Sequence, residues 1–354
     1  MKIIHCADLH LDSKMESNLT TQQAKERREE IFETFAKMVD YAGQNDVSAI
    51  IIAGDMFDTK NSQIRIKNRV RELIAAAEDI DFLYLKGNHD NADFLGDSEC
   101  PKNLRFFGQD WTRFSYGNID IIGCEGGETK YNSLELDEDK TNIVVMHGQE
   151  ASGNAYGDNI INIPALSNRY IDYLALGHIH SYKRGEIDER GIYCYCGCLE
   201  GRGFDECGEK GFVLLDVDDT GVKQEFISFA KRTLHTVNVR LDGIVTGNEI
   251  IERISAATVH IPSKDMVKIV LEGEIDEQTD IDTVYLTRRF EDAFYFVKIY
   301  DHTSLLINYE SYKNDVSLKG EFIRLVNAQD IDEDRKKTII LTGLRALSGR
   351  EIDI

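Results

Sequence analysis

Five times between Lys2 and His180, a short apolar run ends in residue types that bind hard divalent cations. Ile3-Ile4-His5-Cys6-Ala7 leads into Asp8-Leu9-His10, and Ala49-Ile50-Ile51-Ile52-Ala53 into Gly54-Asp55-Met56-Phe57-Asp58. Phe82-Leu83-Tyr84-Leu85 leads to Gly87-Asn88-His89-Asp90, Ile143-Val144-Val145-Met146 to His147-Gly148, and Tyr173-Leu174-Ala175-Leu176 to Gly177-His178-Ile179-His180. Runs this short, bounded by glycine or polar residues, suit buried strands. Ligands of open α/β sheets bind just beyond the carboxyl ends of such strands. The chain is thereby held to an α/β fold that aims carboxylates, an amide and imidazoles at one rim of a sheet. That is the make-up of a two-metal site.

The spacings have geometric reasons. Asp8 and His10 stand two apart, so a continuing strand points both side chains to one face, and His178 and His180 repeat the device. Gly54 lets the chain turn sharply before Asp55, freeing its carboxylate to bridge two ions. Asn88 supplies a neutral oxygen where another carboxylate would add excess charge. Carboxylate, amide oxygen and imidazole suit Mn²⁺, Zn²⁺ or Fe²⁺, and the motifs hold no thiolate. His5 falls inside the first strand and reads as packing; His235, His260 and His302 lie outside the pattern.

In order, the five elements resemble the calcineurin-like metallophosphoesterases, whose pattern is DxH, GDxxD, GNH[DE], a lone strand-end His and GHxH. The resemblance implies a four-layer αββα sandwich. It implies two divalent ions, Mn²⁺ foremost with Zn²⁺ or Fe²⁺ as alternatives. Asp8, His10, Asp55 and His180 would hold one ion; Asp55, Asn88, His147 and His178 would hold the other, with Asp55 bridging. His89 would assist departure of the leaving oxygen while a hydroxide shared by the ions attacks phosphorus. Asp90 would orient the His89 ring, and Asp58 would assist. Within the family, His5-Cys6-Ala7-Asp8-Leu9-His10-Leu11-Asp12, Tyr195-Cys196-Gly197 and Phe204-Asp205-Glu206-Cys207-Gly208 look like the bacterial SbcD and YhaO-type DNA-repair exonucleases. Other lineages carry His where this chain has Asp58. This finer likeness implies DNA as substrate, a coiled-coil ATPase of the SbcC type as partner, and a homodimer as assembly.

Charge points elsewhere. Lys and Arg total 41 against 63 Asp and Glu, a formal net charge of −22. DNA affinity rests largely on cations that displace condensed counterions, so such a chain binds DNA poorly unless a partner supplies basic surface. One basic stretch follows Asp58: Lys60, Arg65, Lys67, Arg69 and Arg71. On a helix whose buried stripe is Ile66, Val70, Leu73, Ile74 and Ala77, Arg65, Lys67, Arg69 and Arg71 would flank the stripe and guide a phosphate backbone. Two other readings stand beside the nuclease. One is an enzyme for small phosphodiesters or phosphomonoesters such as cyclic nucleotides, which needs no basic groove. The other is a non-catalytic DNA-end-binding assembly subunit, which would have no need of His89.

Seven cysteines, an odd number without scaffold spacing, argue for free thiols. Cys194, Cys196 and Cys198 would share one face of a strand. The first strand begins at Lys2, leaving no room for a leader, and no apolar run approaches the roughly 20 residues of a membrane span. A cytoplasmic protein with no membrane association is expected.

Three segments are expected. Residues 1–232 form the catalytic domain, with a helix from Gln22 to Ala42 opened by a Thr20/Gln23 capping box and stopped by Gly43. Residues 233–310 form a small α+β capping domain, and residues 311–354 a helical tail. The tail presents two apolar faces: Phe322, Ile323, Leu325 and Val326, then Ile339, Ile340, Leu344 and Leu347.

Overall fold

The computed structural model describes residues 1–15, 19–58, 64–88, 90, 100–153, 157, 159–218, 221–276, 279–306, 312 and 315–347. These fall into two units, Met1–Leu234 and His235–Ile354.

The first unit runs β1 (Lys2–Cys6), α1 (Thr21–Gln44), β2 (Val47–Ala53), α2 (Ile64–Ala76), β3 (Asp81–Leu85), β4 (Leu104–Phe106), β5 (Thr112–Tyr116), β6 (Ile119–Gly123) and β7 (Thr141–His147). It continues with β8 (Gln149–Ala151), β9 (Ile160–Asn162), α3 (Ile163–Leu166), β10 (Tyr173–Gly177), β11 (Lys183–Glu186), β12 (Ile192–Tyr195), β13 (Gly211–Asp218) and β14 (Gly221–Ser228). The strands build two six-stranded sheets, ordered β14-β13-β1-β2-β3-β4 and β11-β12-β10-β7-β6-β5. In the first, β1 to β4 are parallel; in the second, β6, β7, β10 and β12 are.

Parallel strands covered on both faces should read as unbroken apolar runs, and here the two faces of each run serve different cores. Ile4, Ile50, Ile52, Phe82 and Tyr84 pack under α1 and α2. The alternate residues Ile3, Ala49, Ile51 and Leu83 meet Ile121, Ile143, Val145 and Ala175 of the second sheet. The far face of that sheet, with Val144, Met146, Leu174 and Leu176, packs on Ile161, Ile163 and Leu166. Helices, two sheets and a thin outer layer of short helices make four layers, as expected.

Helix α1 opens on the expected capping box: Thr20 Oγ1 accepts from the Gln23 amide (3.2 Å), and Gln23 Oε1 accepts from the Thr20 amide (3.1 Å). It does not stop at Gly43. It runs on to Gln44, where Asn45 closes it by donating backbone and side-chain N–H to Tyr41 O (3.1 and 2.8 Å). Strand β12 also ends earlier than the cysteine alternation implies. Gly197 takes φ +77°, the chain turns, and Cys198 leaves the face that Cys194 and Cys196 share between the sheets. None of the seven cysteines is in a disulfide, and among the described residues no helix is long and apolar enough to cross a membrane.

The second unit holds β15 (Leu234–Arg240), α4 (Gly247–Thr258), β16 (Met266–Glu272), β17 (Glu274–Asp276), α5 (Thr283–Phe290), β18 (Phe296–Asp301), β19 (Ser304–Leu306), α6 (Leu318–Asn327) and α7 (Glu333–Leu347). Three of the strands form a sheet ordered β15-β16-β18. Ile323, Val326, Ile340 and Leu344 share one core with Val239, Ile254, Ile269 and Leu286. The terminal helices, read from sequence as a separate tail, thus close the α+β core; of the eight apolar residues singled out on them, Leu325, Ile339 and Leu347 stand exposed.

Candidate metal centre

The carboxyl ends of β1, β2 and β3 in one sheet, and of β7 and β10 in the other, carry all five motifs. Beyond the last ladder pairs the two sheets are tied through the motifs themselves. The Asp8 amide donates to Gly54 O (3.0 Å) and the His10 amide to Asp55 O (3.1 Å), binding the first two loops. The His178 amide donates to both Asp8 carboxylate oxygens (3.0 Å each), and His147 Nδ1 lies 2.9 Å from Ala53 O. Both contacts cross from one sheet to the other.

Donor atoms of Asp8, His10 and His180 lie within 4.8 Å of one another, and so do those of Asp8, Asp55 and His147. The imidazoles stand in two pairs, His10 with His180 (ring centres 5.2 Å apart) and His147 with His178 (5.4 Å). Asn88 Oδ1 is 2.9 Å from His147 Nε2, and Asp55 Oδ2 is 3.3 Å from the same nitrogen. Seven of the expected ligands are therefore together. The sequence reading is refined at Asp8, which belongs to both triads and lies as centrally as Asp55.

Backbone and burial are specialised to match. Asp8, His10, Asp55 and His178 all have positive φ (50°, 44°, 53° and 100°). Non-glycine residues rarely adopt such conformations, which cost of order 1–3 kcal/mol each and cluster at functional sites. The motif glycines keep the centre open. A Cβ on Gly54 would fall 2.1 Å from His147 Nδ1, one on Gly87 2.2 Å from Asp55 Oδ1, and one on Gly177 2.0 Å from Ala53 O. Asp8, His10 and Asp55 are each only 1% exposed. Burial lifts the Asp8 carboxyl above its ordinary value against the pull of His147 and His180, and nearby Asp55 adds to the rise. Burial by itself would depress His147, but the Asp55 and Asp8 carboxylates override it and raise the imidazole to about 9. Carboxylate oxygens and imidazole nitrogens converging at this spacing fit divalent ions such as Mn²⁺, Fe²⁺ or Zn²⁺.

A model of calcineurin-like phosphoesterases matches residues 1–182, from the first strand to just past the last of these motifs. The chain belongs to that family. It is a metal-dependent phosphoesterase, and enzymes of this family work with paired divalent ions. Among curated relatives, the metallophosphoesterase YhaO of Bacillus subtilis (strain 168) is 28% identical over 255 residues, 64% of this chain and 60% of its own length. The DNA double-strand break repair protein Mre11 of Sulfolobus acidocaldarius is 23% identical over 334 residues, 88% of this chain and 85% of its own. Its namesake in Sulfurisphaera tokodaii is 27% identical over 300 residues, 77% and 74% of the two chains.

The remaining expected residues of the phosphoesterase fall in several places. His89 lies outside the described residues. Asp90, expected to orient it, accepts from the amides of Gly87 (3.0 Å), Met56 (3.3 Å) and Phe57 (3.1 Å), so it pins two motif loops together. Asp58 sits against His10, its Oδ1 3.3 Å from Nδ1. In the basic helix, Val70 and Ile74 are buried as the stripe required. Arg69, however, is committed to α1, paired with Glu29 and stacked 3.8 Å over Phe32. Arg65 is exposed, and Lys67 and Arg71 are half-buried. Three residues to which the sequence reading gave no role also reach the centre: Arg202, Lys210, and Glu206, which entered only as part of the Phe204–Gly208 likeness. The burial of Glu206 (4% exposed) and Lys210 (3% exposed) is visible only in the fold, since in sequence they read as an ordinary acid and base of a glycine-rich loop.

Proposed function

We propose that this phosphoesterase hydrolyses phosphodiester bonds at DNA ends, as the nuclease half of a repair complex. The observation that carries the chemistry is the convergence of the Asp8, His10, His180 and Asp8, Asp55, His147 triads, with Asn88 and His178 beside the second. The substrate class is supported by relatives named as DNA double-strand break repair proteins that align over most of this chain.

In this reading Asp8, His10, Asp55 and His180 hold one ion, and Asp55, Asn88, His147 and His178 the other. Paired ions, when bound, acidify a shared water and draw charge from the phosphoryl oxygens. The protein does the rest. The strained turns at Asp8, Asp55 and His178 aim the donors inward, and the cross-sheet bonds keep them there. His89 donates a proton to the departing sugar oxygen. A cleft of about 320 Å³ opens beside Asn88 and His147, lined by Lys86, Asp90, Glu125 and Glu128. That is the lower end of the size range for small-ligand sites. The native metal is Mn²⁺ in this proposal, and a coiled-coil ATPase supplies the cations that a chain of net charge −22 lacks. The same carboxylate-lined cleft and acidic surface favour a second reading, a small phosphodiester as substrate.

Purified protein with Mn²⁺ or with chelator, and the Asn88→Ala variant, would be given linear duplex DNA, single-stranded DNA and a cyclic dinucleotide. Metal-dependent release of nucleotides from DNA, lost in the variant, is expected. Turnover of the cyclic dinucleotide with DNA untouched would replace the nuclease by the second reading.

A further inference from the structure

The two halves of the centre are braced differently. Beside the second triad, His147 Nδ1 has a backbone carbonyl, Ala53 O, at 2.9 Å. On the other side, His10 and His180 are gripped by one linked set of charged side chains. Glu206 Oε1 lies 2.7 Å from His180 Nδ1, and Asp58 Oδ1 lies 3.3 Å from His10 Nδ1. Arg202 joins the two carboxylates: its Nη2 donates to Glu206 Oε1 (2.7 Å) and its Nη1 to Asp58 Oδ1 (3.3 Å). The Arg202 amide also donates to Glu206 Oε2 (2.7 Å), and Lys210 Nζ donates to His180 O (2.7 Å). Glu206 is 4% exposed and Lys210 3% exposed. Burying an acid and a base demands that each be paired, and both are spent on one histidine. Arg202 follows Gly201 in the turn where the chain doubles back from Cys198, so its guanidinium reaches both sides of the His10–His180 pair.

We infer that Arg202, Glu206 and Asp58 are positioning residues for one metal subsite only, that of Asp8, His10 and His180. They take the two-ion reading as their premise. Glu206 holds His180 by Nδ1, which leaves Nε2 for the ion and raises the ring's basicity; Asp58 sets a charge 3.3 Å from His10 Nδ1, and the guanidinium keeps both carboxylates in place. Partners of this kind are worth roughly 10–100-fold in metal affinity. The other subsite, braced at His147 by main chain, is independent of them.

The test is calorimetric titration of metal-stripped protein with Mn²⁺, with electron paramagnetic resonance on the same samples, for wild type, Glu206→Gln and Arg202→Gln. The expected result is a loss of about 10–100-fold in affinity in one binding step, the other unchanged. The spectrum should pass from a coupled pair to an isolated Mn²⁺ at metal levels that fill both sites in wild type. Unchanged binding in both steps would overturn the inference. So would equal weakening of both steps with a lowered melting temperature of the metal-free chain, the mark of a merely structural role. A rise in KM with metal binding intact would assign Arg202 to substrate instead. A single binding step in wild type would sink the two-ion reading and the selectivity with it, and that step left unchanged by Glu206→Gln would end the positioning role as well.

Discussion

Two clusters of buried charge lie in the same unit, and they are built on opposite terms. Under α1, Arg27 is fully buried, with Nη1 2.6 Å from Glu30 and Nη2 3.3 Å from Glu200. Arg232 and Lys231 add further cations to Glu30 (2.7 and 3.1 Å), and Thr34 donates to Glu200 (2.7 Å). At the strand ends, Asp8 and Asp55 are equally buried but face imidazoles. Burial works against the Glu30 carboxylate, yet Arg232 and Arg27 still bring it down to about 2. Asp8 is pushed up. Glu200, the deeper of the two acids, is also raised by burial in spite of Arg27; it is Glu30 that collects the cations. A buried cluster that brings its own cations is an internal brace. At the strand ends the cations Arg202 and Lys210 go to Glu206, Asp58 and the His180 carbonyl, and Asp8 faces imidazoles, the setting that suits metal.

The largest effect should come from Asp55→Ala. Bound Mn²⁺, measured by elemental analysis, should fall to one equivalent or less and turnover should collapse; unchanged metal content would end the contrast, because Asp55 would then be another structural acid. Next in size, His89→Ala should keep its metal and lose roughly 10²-fold or more in turnover, as removal of a proton donor does. Near-normal rates would take His89 out of the mechanism.

Arg27→Met should leave metal content alone and cost about 3–5 kcal/mol of stability by denaturant unfolding, since it strands buried carboxylates. A milder loss would mean that Arg232 and Lys231 suffice. Conversely, Mn²⁺ at 100 times its dissociation constant should stabilise wild type by about 2.7 kcal/mol per ion, and the Asp55→Ala variant by much less.

The smallest effects are in pH, and they run in opposite directions. Glu30 is depressed to about 2, so its contribution is complete above its ordinary value of 4.5 and fades as pH falls toward 2. The gap in stability between wild type and Glu30→Gln should close over that window. In metal-free protein His147 is raised from 6.5 to about 9, so its contribution is complete below 6.5 and is lost as pH climbs through 9. Metal needs the neutral ring, so Mn²⁺ affinity should rise over the same interval with proton release. Affinity flat from pH 6.5 to 9 would show that His147 is neutral without metal.

The donors were legible from sequence because strand ends have a local grammar: an apolar run, a glycine or a turn, then the ligand. The α1 capping box was legible for the same reason, as its bonds span three residues. What misled was equally local. Gly43 looks like a helix stop, but a glycine stops a helix only where the chain must turn left-handed, and here the turn comes after Asn45, at Asp46 (φ 57°). The basic run on α2 looked like a surface for phosphates; that Arg69 lies over Phe32 depends on α1, more than thirty positions away in the chain.

By itself, the sequence determined the motif-bearing strands, the candidate donors and the family, because each motif carries its own backbone requirement and its own chemistry. Only the tertiary structure decided the partners. That Asp8 belongs to both triads, that Asp90 pins Met56 and Phe57, and that Glu206 and Asp58 grip opposite histidines through Arg202 are outcomes of two sheets meeting at their carboxyl ends. Residues 144 positions apart, such as Asp58 and Arg202, become neighbours through packing alone. Short-range patterns record what a side chain is able to do, and packing settles which groups it meets.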